Sequence, residues 1–267
     1  MHFISGLPRA GSTLLAAILR QNPHCHADMS SPLAGIYNGL LERMTGKNEY
    51  HLAISDAQRR AICEGLFTSF YAHVPEEKVV FDTNRVWCGK IADLSLLFPD
   101  ARIVCCVRSV AWVLDSFEKL AQANPLYCSR TFNFDPTGTV YSHVDALMNG
   151  SGSVGAAYNA LKGAFFGPLS SRLIVIDYES LARDPVRAMR SLYDALGVAF
   201  FEHDFSAVSF SSPEFDRSAG CPGLHTVSGP VRYVERETLL PPDLFDKFAG
   251  SSFWKKAHNG RRPVRVI

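Results

Sequence analysis

Short apolar runs punctuate the chain: Phe3-Ile4, Val79-Val80-Phe81, Ile103 to Val107 and Leu173 to Ile176. Each is too short for a helix, has no polar alternation and ends in glycine or polar residues, as strands covered on both faces do. Between them, apolar residues recur at helical spacing: Leu14, Leu15, Ile18, Leu19; Ile91, Leu94, Leu97, Phe98; and a stretch from about Val110 to Ala121. Further helical patterns cover about 140–148 and 153–166, and Asp184-Pro185 opens a helix with Met189, Leu192, Tyr193 and Leu196 that Gly197 ends. His24 to Asp28 reads as a short second strand. The alternation predicts an α/β fold of three layers, a central parallel sheet flanked by helices.

Two stretches depart from it. From about 33 to 74 the pattern is helical only, with Ile36, Leu40, Leu41 and Met44 in one segment and Ala61, Ile62, Leu66, Phe67 and Phe70 in another. This excursion either covers the core or walls an acceptor pocket. From about 201 the chain is loop-rich. No repeat or linker divides it, so residues 1–267 are expected to form one domain.

The first strand leads into Gly6-Leu7-Pro8-Arg9-Ala10-Gly11-Ser12-Thr13 and then directly into a helix. Strand, glycine loop and helix N-terminus make an anion cradle, because loop N–H groups and the helix dipole converge on one spot. Arg9 precedes the hydroxyl pair, whereas a nucleotide-triphosphatase loop has lysine at the position of Ser12. Arginine offers a planar fork suited to two oxygens of a phosphate or sulfonate.

Polar groups at other strand ends are candidates for chemistry, since open α/β sheets bind ligands there. They are His26 and Asp28 on the second strand, Asp82 and Arg85 after the third, and Arg108 after the fourth with Ser116 two helical turns later. Asp82 and Arg85 either act at the transferred group or brace the loop as an ion pair. His24 and His26 share a strand face, but no third metal ligand is recognisable, so no metal is expected. Residues 122–139, rich in aromatics and without period, are either a lid or an irregular packed loop.

Composition narrows the partners. A net charge of +1 gives no case for nucleic acid, and no apolar run is long enough to enter a membrane. The cradle starts so soon after Met1 that no leader is expected, which points to the cytoplasm. The seven cysteines form no paired framework and read as reduced packing residues. Arg261 to Arg265 reads as a solvated basic tail.

Gly6-x-Pro8-Arg9-x-Gly11-Ser12-Thr13-Leu14 resembles the 5'-phosphosulfate loop of sulfotransferases that use 3'-phosphoadenosine 5'-phosphosulfate (PAPS), bacterial and tyrosylprotein members above all. The spacing of Arg108 and Ser116 is similar to the family's 3'-phosphate segment. Tyr178-Glu179-x-Leu181, followed by Asp184-Pro185, is similar to the segment whose tyrosine holds the nucleotide, and Thr226 and Arg232 match a hydroxyl and a basic residue in the closing loop. The resemblance implies sulfonate transfer from PAPS to an acceptor hydroxyl. Arg9, Ala10, Gly11, Ser12, Thr13, Arg108, Ser116, Tyr178, Thr226 and Arg232 would hold the donor, and no metal is needed. The chain departs from the tyrosylprotein pattern where its catalytic glutamate would stand, at Ser30, and has Pro32 for an arginine and Asp82 near a lysine. His26 and Asp82 are then the leading candidates for the base and Arg85 for the missing positive charge. A phosphate-loop kinase and a non-catalytic nucleotide-binding protein are the alternatives.

Overall fold

The computed structural model describes residues 1–46, 49–126, 129–132, 138–256 and 264–267. The chain runs β1 (His2–Gly6), α1 (Ser12–Leu19), β2 (Cys25–Ser30), α2 (Leu33–Arg43), α3 (Asp56–Phe70), β3 (Val79–Thr83), α4 (Ile91–Leu97), β4 (Ile103–Val107), α5 (Val110–Ala123), α6 (Val140–Met148), α7 (Gly155–Phe166), β5 (Leu173–Asp177), α8 (Tyr178–Arg183), α9 (Pro185–Leu196), β6 (Val208–Phe210), α10 (Pro213–Ser218), β7 (Val227–Gly229), α11 (Pro242–Ala249) and β8 (Arg265–Val266). Six strands form one sheet in the order β2-β3-β1-β4-β5-β8, every pair parallel.

All residues of β4 and β5 are buried, which explains why they read as unbroken apolar runs. From β1 the chain first moves outward to β2 and β3, then crosses to β4 and β5 on the other side. The strand order therefore reverses beside β1, and the loop after β1 opens at the crevice this reversal leaves.

Helix ends follow local chemistry. Ser55 and Gln58 form a capping box at α3, Asp184 accepts from Arg187 N at α9, and Gly197 closes α9 in the left-handed region at φ 71°.

The excursion differs from its pattern in which face is buried. Leu33, Ala34 and Tyr37 of α2 and Cys63 and Phe67 of α3 face inward, whereas Ile36 and Ile62 are 46% and 42% exposed. Phe67 meets Phe3 of β1 edge-on at 5.9 Å, so α3 roofs the central strand. The expected basic tail is also corrected in part. Arg265 and Val266 extend the sheet as β8, with Ile267 N donating to Val175 O at 2.8 Å, while 261–263 lie outside the described residues. Of the aromatic-rich segment, Phe132 packs against Phe117 and His143; residues 127–128 and 133–137 lie outside the described residues.

Candidate active site

The loop from Leu7 to Gly11 is fixed at its start by Leu7 N donating to Cys106 O at 2.8 Å. Gly6 is required there: at φ 102° a Cβ would lie 2.2 Å from the same carbonyl oxygen. Arg9 at φ 56° and Gly11 at φ 94° take left-handed conformations around Ala10, the kind of backbone that forms an anion nest, and the loop lines one concavity with Ser12 and Thr13 of the first turn of α1. A left-handed arginine costs about 1–3 kcal/mol and persists only if held in place. Its side chain does the holding: Nε donates to Ser116 Oγ at 3.0 Å and Nη1 donates to the Leu224 carbonyl. The loop cation and the hydroxyl of α5, expected at opposite ends of a ligand, thus meet on one surface.

Arg108 leaves the end of β4 and Tyr178 the end of β5. The guanidinium carbon of Arg108 stands 4.5 Å from the Tyr178 ring centroid, and the same ring covers Gly11, where a Cβ would come within 3.0 Å of Cδ2. Burial pushes the pKa of Arg9 and of Arg108 down; next in size, Arg108 acts on Arg9 and Arg236 on Arg108 in the same direction. The cations repel one another, and an anion among them relieves that repulsion. Arg108 Nε, Ser153 Oγ and Thr83 Oγ1 are buried with no hydrogen-bond partner among the described residues, and all three residues line the cavity. Such orphaned groups mark where a polar ligand belongs.

The opposite wall is the strap 224–232. Its β7 pairs antiparallel with β6, Val231 N donates to Phe205 O at 2.8 Å, and Arg183 stacks on Tyr233 at 3.8 Å. Farther on, buried Asp115 of α5 receives Leu239 N at 2.7 Å and Thr238 Oγ1 at 3.1 Å, with Arg236 at 2.8 Å. Between strap, loop and strand ends lies a cavity of about 380 Å³, within the usual range for small-molecule sites. Arg9, Gly11, Ser12, Thr13, Arg85, Arg108, Ser116, Tyr178, Thr226 and Arg232 all line it, as does Ser30. None of the described residues of the helical excursion lines this cavity.

Ala10, His26 and Asp82 are not among the lining residues. Ala10 is buried, and only its backbone serves the loop. Asp82 is fully buried and turned the other way, receiving Tyr71 Oη and Trp87 Nε1 at 2.6 Å each and Ser31 Oγ at 2.9 Å. Burial raises its pKa against those three hydrogen bonds. It forms no ion pair with Arg85, which lines the cavity. His26 packs on Tyr71 and His73 at 5.6 and 5.8 Å, and Asp28 lies 3.6 Å from Arg20 on the surface. In their place the cavity presents a histidine that sequence reasoning passed over. His225 of the strap holds Asp216 through Nδ1 at 2.7 Å, and Asp216 is 1% exposed. His225 directly precedes Thr226 in the chain, but only the fold supplies its carboxylate.

Among the described residues, no group of histidine, cysteine, aspartate and glutamate side chains is placed to hold a metal ion, and no helix is long and apolar enough to cross a membrane. The model of the sulfotransferase family matches residues 2–202. The sulfotransferase domain from the curacin biosynthetic pathway superposes with a TM-score of 0.52 at 17% identity, covering 99% of this chain and 93% of that one. A sulfotransferase from Alicyclobacillus acidocaldarius gives 0.51 at 18%, covering 81% and 88%. These likenesses concern the fold. No curated protein sequence matches the chain.

Proposed function

The chain belongs to the sulfotransferase family, and from that premise we propose that it moves a sulfonate group from PAPS to an acceptor hydroxyl, leaving adenosine 3',5'-bisphosphate. One observation carries the reading: Arg9, Arg85, Arg108 and Arg232 line one cavity in which Arg108 Nε, Thr83 Oγ1 and Ser153 Oγ are without partners among the described residues. That donor set fits a ligand with phosphate at both ends and a polar sugar between, because charge-assisted hydrogen bonds from arginine are the strong ones for phosphate oxygens.

The backbone of Arg9, Ala10 and Gly11 with Ser12 and Thr13 would take the 5' end, and Arg108 and Ser116 the 3'-phosphate. Tyr178 would hold the nucleotide, with Thr226 and Arg232 closing from the strap. When bound, PAPS supplies an activated sulfonate with a phosphate leaving group. Arg9 and the loop N–H groups stabilise the charge that grows on that phosphate, and Arg85 stabilises charge on the group in transit. Convergence of loop and strap leaves the strand ends as the acceptor's approach, where Ser30, Thr83 and Asn84 line the cavity. Cys25, Cys63, Cys88, Cys105, Cys106 and Cys221 are free and buried, which supports action in a reducing compartment, the cytoplasm.

Thermal unfolding with the bisphosphate, and separately with ATP and Mg²⁺, tests the donor. At 100 times its dissociation constant a native-state ligand adds about 2.7 kcal/mol, a shift of several degrees. The bisphosphate is expected to raise Tm and ATP with Mg²⁺ to leave it. The reverse result would refute the reading.

A further inference from the structure

Sulfonate transfer to a hydroxyl needs a group that removes the hydroxyl proton, and the cavity wall holds one on the strap. We propose that His225 takes the acceptor proton at Nε2 and that Asp216 is its positioning residue, an assignment that rests on the sulfonate-transfer reading above.

The geometry assigns the roles. Both oxygens of Asp216 are engaged by the same residue: His225 N donates to Oδ2 at 2.9 Å, and the ring meets Oδ1 through Nδ1 at 2.7 Å. A carboxylate there accepts, so Nδ1 carries the hydrogen and Nε2 keeps its lone pair. The paired backbone and ring contacts fix both the position and the tilt of the imidazole, and Phe215 closes the other side edge-on at 5.2 Å. Asp216 is sealed within α10, so its charge acts on this histidine rather than on solvent. The residue just before His225 accepts from Arg9, so the base and the sulfonate-end cation are joined through one carbonyl.

The charges around the ring suit a base. Burial lowers the His225 pKa first; Asp216 opposes this, and Arg9 from the loop and Arg85 from the turn after β3 add to it. The imidazole is therefore neutral at neutral pH, able to accept a proton without prior loss of one. In the step itself the acceptor oxygen bonds to sulfur, the bond from sulfur to the leaving phosphate oxygen breaks, and the hydroxyl proton goes to Nε2. The imidazolium then returns it to water. Ser30, where the tyrosylprotein enzymes keep a glutamate, cannot do this at neutral pH, and His26 and Asp82 lie outside the cavity.

The test uses the full chain, with adenosine 3',5'-bisphosphate as the binding probe and PAPS with two phenols as substrates. His225→Gln should bind the bisphosphate within about threefold of the unaltered protein. With phenol, whose proton must be removed, kcat should fall about 100-fold or more, the ordinary contribution of a general base. With para-nitrophenol, already ionised at an alkaline assay pH, the loss should disappear. Asp216→Asn should lower kcat for phenol in the same direction without raising KM, since it frees the wrong tautomer. Equal losses with both phenols, or none, would overturn the proposal. ¹⁵N-histidine NMR of the bisphosphate complex needs no acceptor. The resonance missing from His225→Gln should be a neutral Nδ1–H tautomer at neutral pH, and an Nε2–H tautomer or an imidazolium would overturn the assignment whatever the turnover. If the bisphosphate fails to bind the unaltered protein, the donor reading fails first and the assignment falls with it.

Discussion

Asp115 is the point at which the strap depends on a single side chain. It is fully buried in α5, one residue before Ser116, and holds the segment after the strap by three contacts, Leu239 N at 2.7 Å, Thr238 Oγ1 at 3.1 Å and Arg236 at 2.8 Å, while Lys119 of its own helix stands at 3.4 Å. Breaking a buried ion pair costs about 3–5 kcal/mol when the surviving charge stays buried. Here Arg236 and Lys119 keep 30% and 31% of their side-chain surface exposed, so both can turn to water and that part of the cost is small. What remains is two hydrogen bonds to a carboxylate, at about 1.5 kcal/mol each toward the low end of the range, giving about 3 kcal/mol for Asp115→Ala. The loss falls on residues 236–239 rather than on the sheet. The expected result is therefore a modest drop in Tm together with weaker binding of adenosine 3',5'-bisphosphate, because Thr226 and Arg232 ride on the released strap. If the strap spends most of its time open, about 3 kcal/mol corresponds to a loss of up to 100-fold in affinity. Asp115→Asn keeps an acceptor for Leu239 N and should lose less. Calorimetric titration of both variants beside their urea midpoints checks this. An Asp115→Ala protein that binds within twofold and unfolds within 1 °C of the unaltered chain would refute the anchoring argument.

Arg108→Lys removes the planar fork and its stacking on Tyr178 while keeping the charge, so bisphosphate affinity should fall about 10-fold or more with little change in Tm, read by the same titration. Asp82 predicts a slope of stability with pH. Its carboxyl is raised in the folded state, so the native protein binds this proton more readily than the unfolded chain does. The group's contribution is present below the unfolded carboxylate pKa and is lost as pH rises through the higher folded value. Urea midpoints from pH 4 to pH 7 should show that loss in the unaltered chain, and Asp82→Asn should flatten it; parallel curves would contradict the burial argument.

What the sequence revealed follows from how local each feature is. The phosphate-type loop was legible because its signals lie within a few residues: an apolar strand, Gly6 and Gly11 where left-handed backbone is needed, and a helix that starts at Ser12. Strand ends were legible as places, but not as directions. Adjacent residues on a strand face opposite sides, so with Thr83 turned to the cavity Asp82 must turn away from it, into Tyr71, Trp87 and Ser31. His26 shares alternation with Ser30, yet it sits four residues earlier, roughly 13 Å back along the strand, and a register shift between Ala27 and Ser30 breaks the alternation that would relate them. The pairing of His225 with Asp216 had no periodic signal at all. The two are joined through a turn that uses Gly220 and Gly223 at φ 66° and 83°, and the carboxylate acquires its meaning only when that turn folds it beneath the strap. A base held by tertiary structure on the last wall of the cavity leaves no spacing to read.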